Sequence, residues 1–140
     1  MSYLLDTNVV SETIRRRQND LVIKWLKAVP PEALFVSVLT LGKIRRGIEG
    51  LTDQRRKEKL RLWLEHELPA WFEGRVLTID LAIADRWGRL LAEVGRLVPT
   101  VDSLLAATAL HHDLRLVTRN AKDFGYPGLE VINPWQNAKP

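Results

Sequence analysis

The chain has 140 residues, 46% hydrophobic and 27% charged, which suits one domain with a real core and excludes wholesale disorder. It has no cysteine, so disulfides and thiolate metal sites are excluded and a reducing compartment, the cytoplasm, is expected. A net charge of +4 leans towards a polyanionic partner, and no run of about 18 apolar residues offers a membrane span.

The opening residues carry no basic leader before their apolar stretch and do not read as a signal peptide. Tyr3-Leu4-Leu5 predicts a buried strand ending at Asp6, followed by a helix from Thr7 to Arg17 with Arg15, Arg16 and Arg17 in its last turn. Asp20 is expected to cap a second helix, with Leu21, Trp25 and Val29 on its inner face and Pro30-Pro31 as its stop. Leu34-Phe35-Val36 predicts a second strand, and Ser37 caps a helix that ends near Gly47 or Gly50. From Asp53 the chain reads as helical again, with the apolar stripe Leu60, Trp63, Leu64, Leu68 and Trp71. Val76 to Ile79 is a third strand, and Asp80 caps a helix bearing Ile83, Trp87, Leu90, Leu91 and Val94 on one face. A further helix begins near Val101, and its Ala106, Ala107 and Ala109 permit close packing on a sheet. Arg115 to Thr118 and Leu129 to Ile132 complete the strands.

Strands alternating with helices predict an α/β sandwich with a mainly parallel sheet. A single domain is expected over 1–134, with a tail over 135–140. In such sheets function gathers at the carboxyl ends of the strands. Asp6 follows the first strand, Asp102 opens a helix and Asp123 lies just past the fourth strand. Each has an ordinary structural reading: a helix cap, a partner for a helix dipole, a turn former. Their equivalent topological positions favour convergence. Clustered carboxylates repel unless a cation joins them, and Mg2+, hard and oxygen-seeking, is the natural one. Beside a phosphodiester it can activate water and stabilise the leaving oxygen.

Four ordered stretches then become recognisable. Leu4 to Glu12, Val36 to Gly47, Asp102 to Ala109 and Val117 to Phe124 resemble the four motifs of PIN-domain proteins, and the VapC and FitB-like toxins of type II toxin–antitoxin systems in particular. The resemblance runs from about Tyr3 to Pro134. It implies a three-layer PIN sandwich and a Mg2+- or Mn2+-dependent endoribonuclease acting on RNA. It also implies a homodimer, held inactive in a larger assembly by a small DNA-binding antitoxin that lays its C-terminal segment over the active-site groove. Asp6, Asp102 and Asp123 fall on the family's acidic, metal-binding positions. Thr7, Asn8, Thr118 and Asn120 fall on neighbouring polar positions that would orient the acids or their waters.

The second motif departs from this pattern, because Lys43 stands where the resemblance calls for a catalytic Glu. A protonated Lys has no lone pair for a metal. At ~4 Å and an effective dielectric of ~20, each charge–charge term is worth roughly 4 kcal/mol before solvation offsets it. Lys43 is therefore expected to pair with the aspartates, weaken metal binding and impair cleavage. The alternative is a catalytically inactive module that sequesters antitoxin or RNA. A PIN nuclease of RNA maturation, working without an antitoxin, is a weaker third reading because the short chain carries no extra RNA-binding domain. Glu12 is a poor substitute ligand, lying on the helix after Asp6.

Arg45 and Arg46 follow the second motif and are the favoured RNA contacts among the basic residues. His111 and His112 are adjacent on a helix and point about 100° apart, so they do not form a metal pair. The 53–71 region could offer a groove to an antitoxin helix.

Overall fold

Five short strands form one sheet in the computed structural model, which describes residues 1–136. They are β1 (Tyr3–Leu5), β2 (Leu34–Ser37), β3 (Val76–Leu77), β4 (Arg115–Val117) and β5 (Val131–Ile132). The order is β3-β2-β1-β4-β5 and all four pairings are parallel. Seven α-helices alternate with them: α1 (Thr7–Glu12), α2 (Asp20–Ala28), α3 (Val38–Glu49), α4 (Gln54–Leu62), α5 (Leu68–Trp71), α6 (Leu81–Val94) and α7 (Thr100–His111).

The pleat sends alternate side chains to opposite faces. Tyr3, Leu5, Val36 and Val117 join Val9, Val22, Trp25, Ile44 and Leu64 in a core beneath α1 to α5. Leu4 and Leu116 point the other way and meet Leu90, Leu105, Ala106, Ala107 and Ala109 beneath α6 and α7. The result is helix, sheet, helix: the expected three-layer sandwich. The three alanines of α7 are fully buried, which lets that helix lie close against its neighbours.

Several local expectations need correcting. α1 stops at Glu12, so Arg15, Arg16 and Arg17 lie outside any helix. Glu12 is buried, and its carboxylate accepts the Asn19 backbone N–H at 2.7 Å and the Arg15 guanidinium at 3.2 Å, while the Thr13 hydroxyl bonds back to the Val10 carbonyl. These bonds turn the chain towards α2 and take Glu12 out of contention as a ligand. Asn19, not Asp20, caps α2 by accepting the Leu21 and Val22 N–H groups. Val22 faces the core in place of Leu21, which is exposed.

Between α4 and α5 the helix widens into a π-turn at Trp63–Glu67. Trp71 is exposed, and the buried aromatic at that end is Phe72. β3 and β5 are shorter than expected, at two residues each. Ser37 and Asp80 cap their helices as the sequence predicts, and Asp53, where the chain turns helical again, caps α4. The expected tail opens with Trp135, which packs on the first core under the Arg119 guanidinium; residues 137–140 lie outside the described residues. Among the described residues no helix is long and apolar enough to cross a membrane.

Candidate active site

The sheet grows outward from β1 through β2 on one side and from β4 on the other. The carboxyl ends of two strands at such a switch point diverge and leave a crevice. Asp6 is the residue after β1, and Thr118 the residue after β4. Asp123 sits in the 3-10 turn Ala121–Phe124 beyond β4, Asp102 in the first turn of α7, and Lys43 in the second turn of α3 after β2.

Asp6 is buried and firmly held. Its backbone N–H continues the sheet by donating to the Val117 carbonyl at 2.9 Å. One carboxylate oxygen accepts the Thr7 N–H at 2.8 Å, and the other accepts the Thr118 hydroxyl at 2.7 Å. The Asn120 N–H in turn donates to Thr118 Oγ1 at 3.1 Å. Asn8 Oδ1 accepts the Arg119 N–H at 3.2 Å and ties α1 to the loop after β4. Thr118 and Asn8 thus act through side chains, whereas the bond from Asn120 comes from its backbone. The Thr7 hydroxyl is shielded from solvent and, among the described residues, has no hydrogen-bond partner.

Asp102 reports on its neighbours. Burial pushes its carboxyl above the usual carboxylate range, the Lys43 ammonium pulls it down, and the charges of Asp6 and Asp123 push it up again. Asp6 and Asp123 are thus near enough for their charges to act on Asp102. Lys43 Nζ lies 3.9 Å from Asp102 Oδ1, an ion pair too long for a hydrogen bond. With the two side chains 42% and 23% exposed, water screens that pair considerably.

Two arginines near the second motif and α4 are already occupied. Arg45 pairs with Glu65 at 2.8 Å and with Glu49 at 3.8 Å, and Arg61 joins Glu65 to Glu58. Arg46 is exposed and, among the described residues, forms no ion pair. His111 and His112 stack edge to face at the far end of α7 from Asp102.

Two clefts share Trp63 in their linings. One of about 280 Å³ runs between α1, α3 and α4 and includes Thr7, Ser11, Lys43, Arg56 and Trp63 in its lining. The other, about 390 Å³, is mostly apolar and includes Leu26, Trp63, Leu68, Trp71 and Phe72. The Trp63 ring is the wall between them.

Sequence reasoning missed Tyr126, whose buried phenol is pushed up by burial and by the charge of Asp102, with Arg96 opposing. Its signal was an aromatic held between Gly125 and Pro127 directly after the fourth motif.

The PIN-domain family model matches residues 3–125. The plasmid stability protein StbB of Pseudomonas syringae pv. tomato is 39% identical, over 95% of this chain and 98% of its own length. The VapC ribonuclease Y4jK of Sinorhizobium fredii is 33% identical, over 96% and 99%. The crystal structure of FitAcB from Neisseria gonorrhoeae superposes with a TM-score of 0.87 at 32% identity, covering 96% of this chain and 99% of that one. A toxin–antitoxin complex from Klebsiella pneumoniae does so at 0.69 and 30% identity, covering 95% and 98%. An all-parallel sheet in this order, with its carboxylates at the switch point and a family match over most of its length, places the chain in the PIN-domain family. Its relatives include VapC and FitB toxins.

PIN-domain ribonucleases generally use a divalent metal. The residues present fit such an ion in kind, since all three acids are hard oxygen donors. Their arrangement is open rather than closed on one ion. Among the described residues no three Asp, Glu, His or Cys side chains are grouped to hold one ion, and an ammonium stands beside Asp102.

Proposed function

We propose that this chain is the toxin of a type II toxin–antitoxin pair, an endoribonuclease by lineage whose Mg2+ site is weakened by Lys43. The observation that carries this reading is the Lys43 ammonium 3.9 Å from Asp102, whose carboxyl also feels the charges of Asp6 and Asp123. Asp6, Asp102 and Asp123 would hold the metal, with Mn2+ as a substitute. When bound, that ion supplies an activated water and charge stabilisation at the phosphodiester.

The residues of the chain do the rest. Thr118, in the supporting role proposed for it together with Thr7, Asn8 and Asn120, fixes the orientation of the Asp6 carboxylate. Lys43 draws the Asp102 carboxylate towards itself and offsets negative charge that a dication would otherwise neutralise. Arg46, free of ion pairs, is better placed than Arg45 to meet an RNA backbone; Arg45 would first have to leave Glu65. The apolar cleft beside Trp63 and Trp71 suits an amphipathic segment of the cognate antitoxin. The chain pairs with a second copy in this reading.

A second reading, an inactive module that sequesters antitoxin or RNA, is favoured by the same Lys43 and by the open arrangement of the acids. Cleavage of single-stranded RNA in Mg2+ separates the two. Lys43→Glu is expected to cut at least about tenfold faster than the unaltered chain, corresponding to ~1.4 kcal/mol of recovered stabilisation. Equal, robust cleavage by both would refute the impairment, and no cleavage by either would favour the inactive module.

A further inference from the structure

The cleft between α1, α3 and α4 has a chemistry that the aspartates do not explain. Two cations, Lys43 and Arg56, stand in its wall with the hydroxyl-bearing Ser11, over a floor that includes Ile44 and Ile48. Arg56 is partly buried and, among the described residues, has no carboxylate partner. Arg15, Arg45, Arg61, Arg89 and Arg115 all have one. The Lys43 side chain is 42% exposed, and its ammonium is only loosely tied to Asp102. The neighbouring 390 Å³ cleft has Glu67 as its only charged lining residue, so it would repel a polyanion rather than hold one.

We propose that Lys43 and Arg56 together seat a backbone phosphate of single-stranded RNA in the 280 Å³ cleft, with no metal required. The phosphate would be one flanking the aspartates, since Lys43 belongs to both the cleft and the cluster. The partly buried Trp63 ring closes the far side and offers a face on which the attached base can stack. The proposal rests on the ribonuclease reading for its choice of polyanion. It gives Lys43 a use of its own: the substitution that weakens the metal also adds an anion-binding cation, so binding is retained where cleavage is impaired.

The test is fluorescence anisotropy of a labelled single-stranded RNA decamer with the full chain in EDTA, over a salt series. Binding is expected without metal. Arg56→Gln should weaken it about three- to tenfold and lower the slope of log affinity against log salt by ~0.7, one phosphate contact on a single strand. Arg56→Lys, which keeps the charge, should restore the slope; this also separates loss of contact from misfolding of the Gln variant. No binding in EDTA, or an unchanged slope in Arg56→Gln, overturns the proposal. So does Arg56-dependent binding of polyglutamate where RNA does not bind, which would assign the cleft to an acidic protein segment. Cleavage by Lys43→Glu alongside an unchanged slope sinks this inference alone. A lowered slope without any cleavage by Lys43→Glu sinks the nuclease reading and leaves the RNA cleft standing.

Discussion

Asp102 carries a cost that its neighbours can be asked to reveal. Its carboxyl is raised above the ordinary value of 3.8 by burial first, with Asp6 and Asp123 adding and Lys43 subtracting. A carboxyl raised in the folded state binds more protons there than in the unfolded chain, so stability falls as pH rises through that window. Asp102→Asn is therefore expected to melt higher than the parent at pH 7, with the difference vanishing below about pH 3.8, where both states are protonated. Thermal unfolding across pH checks this; a lower melting point for the variant at pH 7 would contradict it. Thr118 works in the other direction. Its hydroxyl bonds a buried carboxylate from 112 residues away, so Thr118→Val should cost roughly 1.5–3 kcal/mol in urea unfolding. A loss under ~0.5 kcal/mol would mean that Asp6 finds another donor.

Helix ends are where local chemistry decides the elements. Gly95 ends α6 at φ +68, donating its N–H to the Leu91 carbonyl. Gly95→Ala puts a Cβ in the left-handed region and should cost ~1–2 kcal/mol, measured by the urea midpoint. Caps of this kind explain what the sequence disclosed. Ser37 and Asp80 were legible because the cap and the helix they serve are neighbours in the chain. The end of α1 was not, because it is made by Glu12 reaching seven residues forward to Asn19. Nor was the π-turn at Trp63–Glu67, whose apolar spacing resembles that of an ordinary helix over so short a stretch. The aspartates were legible from topology. The occupancy of Arg45 was not, since Glu65 lies twenty residues away on another helix. Arg56 was legible only as part of a basic cluster, because its place beside Lys43 depends on how α4 packs on α3.

Over the whole molecule, the impairment proposed for this chain turns on one exchange of charge. Three aspartates with Lys43 leave a formal −2, where a fourth carboxylate would give −4. Charge terms of ~4 kcal/mol at ~4 Å, discounted heavily for solvent, still leave more than the ~1.4 kcal/mol that makes a tenfold change in affinity. The pairing of Lys43 with Asp102 is itself worth about 0–1 kcal/mol, so its removal leaves the fold intact and the proposed metal site open to measurement. Calorimetric titration of Mn2+ into the parent chain and into Lys43→Glu is that measurement. Binding at least about tenfold tighter in the variant is expected. Equal affinities would show that Lys43 leaves the ion alone and that the aspartates act in some other way.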